Sequence, residues 1–170
     1  FGIYSNPMPD EFVIRSFQPA DQAGCLKLYR GGLLGGTIAD NDTGIDIDDI
    51  DASYMKDKSS HFWVAVVVDR VVGMIGVQKY EADEGEIRRL RIDPNFLRRG
   101  IGTALLKTAI NHCHDHGILK VTLDTWIDRE LALKAFDEFN FVHQRTRESN
   151  GKQLLTFYLD IYGSDREDSQ

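Results

Sequence analysis

The chain has little of what would mark a secreted, metal-stapled or membrane-spanning protein. It holds only two cysteines, Cys25 and Cys113, and neither sits in a CxxC. That excludes a disulfide framework and a cysteine-based zinc site, and it fits a reducing compartment, so a cytoplasmic location is expected. No apolar run approaches the roughly 18 residues a spanning helix needs, and no membrane association is expected. The chain opens on Phe1 rather than Met, so the lack of a signal-peptide pattern carries little weight. Positive charge is also short: 20 Lys and Arg against 27 Asp and Glu give a net charge of -7 and a pI near 5.2. Such a balance argues against a general nucleic-acid binder.

What is there suits one domain. The 170 residues are 42% hydrophobic and 28% charged, enough to bury roughly 70% of the unfolded surface. Residues 1–10, with two of the four prolines, read as a loose arm, 11–162 as a single domain and 163–170 as a solvated tail. Apolar alternation at Phe12 and Ile14 predicts a first strand. Ala23, Leu26, Tyr29 and Leu33 are spaced as a helix face, ended by glycines. A segment with Asp40, Asp42, Asp46, Asp48, Asp49 and Asp51 follows, its second half a short helix toward Met55.

"HFWVAVVVDRVVGMIGVQKY" reads as two buried strands joined near Asp69-Arg70, and "GEIRRLRID" as a further strand. "GIGTALLKTAINHCHDHG" predicts an amphipathic helix with Ile101, Leu105, Ala109 and Cys113 inward and Gly117 as its terminator. "KVTLDTWI" is a strand, and "RELALKAFDEF" a helix with Leu131, Ala135 and Phe139 facing in. Asn150-Gly151 centres a hairpin. Strands and helices in this order predict a mixed α/β fold around one central sheet.

Five arginines crowd into "RRLRIDPNFLRRGIG", residues 88–102, just before and around a Gly-x-Gly that opens a helix. A helix N-terminus offers unpaired N–H groups and partial positive charge to an anion, and glycine lets that anion come close. A dinucleotide fingerprint would need glycine where Leu105 stands, and a P-loop would need lysine where "GGLLGGT" has Thr37. Neither fits.

"LRIDPNFLRRGIGTALL" resembles the central motif of the GNAT superfamily of acyl-CoA-dependent N-acetyltransferases, with Leu97 where Gln or Arg is usual. "FNF" at 139–141 stands where that family usually has "LGF". The resemblance implies a single mixed, mostly antiparallel sheet with a bulged, splayed strand, flanked by helices. It implies acetyl-CoA as acyl donor, its diphosphate at Leu97, Arg98, Arg99, Gly100, Ile101, Gly102 and Thr103. The pantetheine arm would lie along the backbone of Leu90, Arg91 and Ile92, with an N–H near Ile92 facing the thioester oxygen. Independently of the resemblance, the inward positions Ile87, Leu90 and Ile92 break strand parity, which predicts one extra residue near Arg88-Arg89.

Glu86 falls where some members of that family carry a catalytic glutamate, and it is the expected general base for a primary amine acceptor, small molecule or peptide. The absence of cysteine from the motif favours direct transfer in a ternary complex. Phe136 stands at the position of the family's usual proton-donating tyrosine, leaving Thr125, Tyr158 or water for that role. It is also the main support for an alternative, a non-catalytic acyl-CoA-sensing module. The acidic segment would attract a cationic amine, and a homodimer follows from the resemblance alone. No metal is expected: "HCHDHG" lacks an HExxH pattern, and Gly44 lies fifth from Asp40 where a calcium loop needs it sixth.

Overall fold

The computed structural model describes residues 11–31, 42–126, 128–149 and 151–161. The expected arm, the glycine run with Leu33, Asp40, Asn150 and the tail lie outside them. Seven strands form one sheet: β1 (Val13–Ser16), β2 (His61–Val67), β3 (Arg70–Lys79), β4 (Glu84–Ile92), β5 (Lys120–Trp126), β6 (Val142–Ser149) and β7 (Lys152–Asp160). Their order is β1-β2-β3-β4-β5-β7-β6, and only the β4–β5 pair is parallel. Helices α1 (Gln22–Arg30), α2 (Ile45–Asp48), α3 (Ile50–Tyr54), α4 (Ile101–Asp115) and α5 (Glu130–Glu138) flank it. This is the mixed, mostly antiparallel sheet that the sequence motif implies.

The sheet buries two separate cores. On one side α4 sets Ile101, Leu105, Leu106, Ala109 and Cys113 against Val72, Ile75, Ile87 and Leu123, all nearly inaccessible. On the other, Cys25 and Tyr29 of α1 join Ile47, Ile50, Tyr54, Phe62 and Met74. Gly76 makes this second core possible, because a Cβ there would stand 2.7 Å from the Tyr54 ring and 2.8 Å from that of Phe62. Tyr54 and Phe62 pack edge to face with centroids 4.9 Å apart, a geometry worth about 1 kcal/mol beyond the area buried.

Two helix faces differ from expectation. In α1 the inward stripe is Cys25 and Tyr29, while Ala23 is exposed. Cysteine buries as a small hydrophobe, so Cys25 takes the inward place one turn before Tyr29, a position outside the expected stripe. In α5 Leu131 is 41% exposed and Phe136 is the buried residue, with Ala132, Ala135 and Phe139 beside it. The face is set by rings across the interface, since Phe136 meets Phe141 at 5.7 Å and Phe157 at 5.9 Å.

The expected break in β4 is present. Met74 pairs with Arg91 and Gly76 with Arg88, so two residues of β4, Arg89 and Leu90, are opposed by the single Ile75 of β3, and Arg89 takes φ 59°. Beyond this bulge β4 leaves its other neighbour. The β4–β5 ladder runs only from Glu84–Lys120 to Glu86–Thr122, yet β4 continues to Ile92 and β5 to Trp126. A wedge therefore opens in mid-sheet.

Candidate active site

A cavity of about 1290 Å³ fills this wedge, lined by β4, β5 and residues of α2, α4 and α5. Of the residues singled out in the sequence, Glu86, Leu90, Arg91, Ile92, Leu97 and Arg98 line it. So do Gly100, Ile101, Gly102 and Thr103, whereas Arg99 does not. Arg99 lies over the Phe96 ring at 4.8 Å instead.

The loop between β4 and α4 leaves backbone N–H groups open at the cavity. Asp93 accepts from the Asn95 backbone N–H at 2.9 Å and from Arg70 at 2.7 Å, which fixes the turn over Pro94–Phe96. Arg98 at φ 63° and Gly100 at φ 82° then turn the chain into α4. Alternating left-handed residues of this kind aim successive N–H groups into one concavity. Gly100 is the N-cap, and no side chain caps the helix, so its first N–H groups are open to a ligand.

Beneath the bulge lies a buried ionic cluster that no local sequence pattern announces. Arg89 donates to both oxygens of Asp42 and, at 2.6 and 3.0 Å, to both oxygens of Asp46. Tyr54 donates to Asp46 at 2.6 Å, and the Tyr29 ring lies under the guanidinium at 5.0 Å. Burial alone would raise the Asp46 carboxyl, but the bonds from Arg89 and Tyr54 overcome it and hold the group below its ordinary range. The bonds from Arg89 likewise hold Asp42 low.

Four of the six aspartates expected to form an acidic wall for a cationic amine are engaged within the chain. Asp42 and Asp46 share Arg89 as their counterion. Asp49 caps α3 through the Ala52 N–H at 3.1 Å, and Asp51 pairs with Lys56 at 2.8 Å.

Glu86 sits half-buried at the apex of the wedge, on the last β4–β5 pair. It also lines a second, smaller cavity with Asp124, Tyr80 and Arg145, so it faces two approaches at once. Burial pushes its carboxyl above the ordinary value; Arg88, 3.8 Å away, works against that shift, and Asp124 works with it. A carboxylate raised in this way is a stronger base. Phe136 lines the cavity without a hydroxyl. Of the two hydroxyls considered in its place, Thr125 lines the cavity and Tyr158 does not.

Sequence reasoning missed Arg129, which ends the loop after β5 and lines the cavity opposite Arg91. Its only signal was an arginine just ahead of a helix. Among the described residues no cluster of three or more His, Cys, Asp or Glu is arranged to hold a metal ion. His112 instead stacks on His116 at 4.0 Å and bonds to the Ser59 carbonyl at 2.7 Å. No described helix is long and apolar enough to cross a membrane.

Comparison with known proteins adds a name to this geometry. A profile of the acetyltransferase (GNAT) family matches residues 36–141. N-acetylaspartate synthetase of Danio rerio is 36% identical over 97 residues, covering 56% of this chain and 34% of that protein. Human N-acetyltransferase 8 is 32% identical over 101 residues, covering 56% of this chain and 44% of that one. The chain thus spans between a third and a half of the length of these two relatives. Among solved structures, yncA of Salmonella typhimurium, determined with its cofactor acetyl-CoA, superposes with a TM-score of 0.75 at 16% identity. The match covers 88% of this chain and 94% of that one, a likeness of fold.

Proposed function

Because this chain belongs to the acetyltransferase (GNAT) family, we propose that it transfers an acetyl group from acetyl-CoA to a primary amine, residues 11–162 acting as one catalytic domain. The observation that carries this reading is the glycine-capped N-terminus of α4 opening into the wedge between β4 and β5. Gly100 to Thr103 would hold the diphosphate, with Arg98 beside it. The unpaired edge of β4 from Leu90 to Ile92 would pair with the pantetheine arm. When bound, acetyl-CoA supplies the activated thioester.

The chain's own residues then act on the acceptor. Glu86 takes a proton from the amine, directly or through one water, so that the nitrogen lone pair is free. The nitrogen forms the new C–N bond as the C–S bond breaks, and the electron pair leaves with the sulfur. An N–H near Ile92 stabilises the charge that develops on the thioester oxygen. Phe136 has no hydroxyl to give, and the Thr125 hydroxyl, which lines the cavity with no hydrogen-bond partner among the described residues, would protonate the departing sulfur.

The name of the Danio rerio relative is that of an enzyme making an acetylated amino acid, which puts small amines among the acceptors to try first. Free, buried Cys25 and Cys113 suit the reducing cytoplasm, where we place the protein.

The test is a thermal melt with acetyl-CoA, with ATP and NAD as controls. At about 100 times its dissociation constant a ligand adds about 2.7 kcal/mol, a rise of several degrees. A rise with acetyl-CoA alone is expected. No rise with any of the three would remove the reading.

A further inference from the structure

Resting on the acetyltransferase reading, we propose that the acceptor is a small amine bearing a carboxylate, and that Arg91 of β4 and Arg129 ahead of α5 hold that carboxylate. Among the described residues, three buried side-chain polar atoms lack a hydrogen-bond partner: Arg91 Nε, Thr125 Oγ1 and Arg129 Nε. All three residues line the cavity that Glu86 faces. Folded proteins satisfy roughly 90% or more of their buried polar groups. Exceptions gathered in one cavity therefore mark where ligand atoms belong.

Charge points the same way. Arg91 bonds to the Leu90 carbonyl of its own strand at 3.0 Å, and the described residues give neither it nor Arg129 a carboxylate within ion-pair distance. Burial pushes the Arg91 guanidinium down to about 10, with repulsion from Arg89 adding to it. Arg129 is pushed down to about 9 by burial and by Arg91. Two desolvated, mutually repelling guanidiniums are unfavourable in a protein that elsewhere pairs Arg89 with two aspartates. A planar carboxylate between them accepts the forked N–H groups and offsets the repulsion.

The diphosphate of coenzyme A has its own seat at Gly100 and Arg98, on the α4 end of the cavity. Glu86 lines the same cavity with Arg88 at 3.8 Å, while Asp124 is held by Arg147 at 3.0 Å, so the wall offers a carboxylate to an arriving amine as well as guanidiniums to an anion. That pattern suits an amino acid rather than a polyamine, and it favours a small molecule that enters the cavity whole over a peptide lying across its rim. The transfer step is the one already described.

The experiment measures thiol release from acetyl-CoA with matched acceptors: L-aspartate against its diamide, and L-phenylalanine against L-phenylalaninamide. A site built for the anion is expected to favour the acid by about tenfold or more in kcat/KM. Arg129→Gln is expected to raise KM for the acid by about tenfold or more, erase the preference over the amide, and leave the calorimetric acetyl-CoA affinity unchanged. Arg129→Lys should recover part of the loss. Amides as good as acids, or an Arg129→Gln variant that loses acetyl-CoA rather than acceptor, overturn the proposal. So does turnover confined to peptides with blocked carboxyl ends. Calorimetry of the unaltered protein without acceptor separates the two levels: failure to bind acetyl-CoA there removes the acetyltransferase reading and this inference together.

Discussion

Arg89 and Arg91 stand two residues apart on one strand, and the fold treats them in opposite ways. Arg89 sits at the bulge, 7% exposed in its side chain, and is met by Asp42, Asp46 and the Tyr29 ring. Arg91 lies just past the bulge with, among the described residues, a backbone carbonyl as its one hydrogen-bond partner and Arg129 as a neighbour of like charge. The first arginine is answered from within the chain, and it ties β4 to α2 where the strand adopts a left-handed residue. The second is left for something that arrives. Completeness of pairing, more than charge or burial, separates an arginine that holds the fold from one that waits for a ligand.

The contrast is sharpest in stability. Arg89→Met strands one buried and one half-buried carboxylate and is expected to cost about 3 kcal/mol, while Arg91→Met removes a charge without an ion-pair partner among the described residues and is expected to be neutral or stabilising. Urea midpoints of the two variants, measured side by side without ligand, check this; equal losses would erase the distinction. Next in size is the acid limb of stability. Asp42 and Asp46 titrate below their unfolded value of 3.8. Their contribution is complete above that value and lost as pH falls through it toward their folded pKa. Asp46→Asn should flatten this limb in urea titrations between about pH 2 and 5.

Glu86 carries the opposite sign and a smaller effect. Its folded pKa lies above 4.5, so the folded state binds the proton more tightly and stability falls slightly as pH rises through 4.5. Glu86→Gln should remove that decline and also move the acid limb of kcat/KM, which is present only while a carboxylate must lose its proton. Smallest of all is the exposed class of arginine. Arg98→Ala should weaken acetyl-CoA by about 0.3–1 kcal/mol, a loss that shrinks with added salt in calorimetry.

What could be read in the sequence was whatever is local. Ile87, Leu90 and Ile92 announced the bulge because a strand has period two, and Gly100 and Gly102 announced the open start of α4 because a helix N-terminus has fixed chemistry. Asn140 also fits, holding φ 68° where the resembled motif has glycine; asparagine tolerates that region better than most residues. The ionic cluster was not legible, because Arg89 meets Asp42 and Asp46 across 47 and 43 residues of chain and no period links them. The same holds for Arg91 and Arg129, which converge only once β5 has diverged from β4. Acidic residues that looked like bait for a cation are, for that reason, internal counterions.

The seam between β4 and β5 is three residue pairs long. By hydrogen bonding, then, the sheet is two blocks, β1 to β4 and β5 to β7, stitched at one end like a partly closed zip. Each block contributes an edge strand to the gap, but these edges face inward, roofed by α4 and α5, so a second protein cannot align a strand against them from outside. The usual hazard of an exposed edge is thereby turned into a reading frame for slim, extended molecules. The same stitch makes the gap the place where the molecule breathes: those amides of Leu90 to Ile92 and of Asp124 to Trp126 that point into the gap, away from β3 and β7, should exchange with solvent ahead of those in β2 and β3, and slow when the gap is filled.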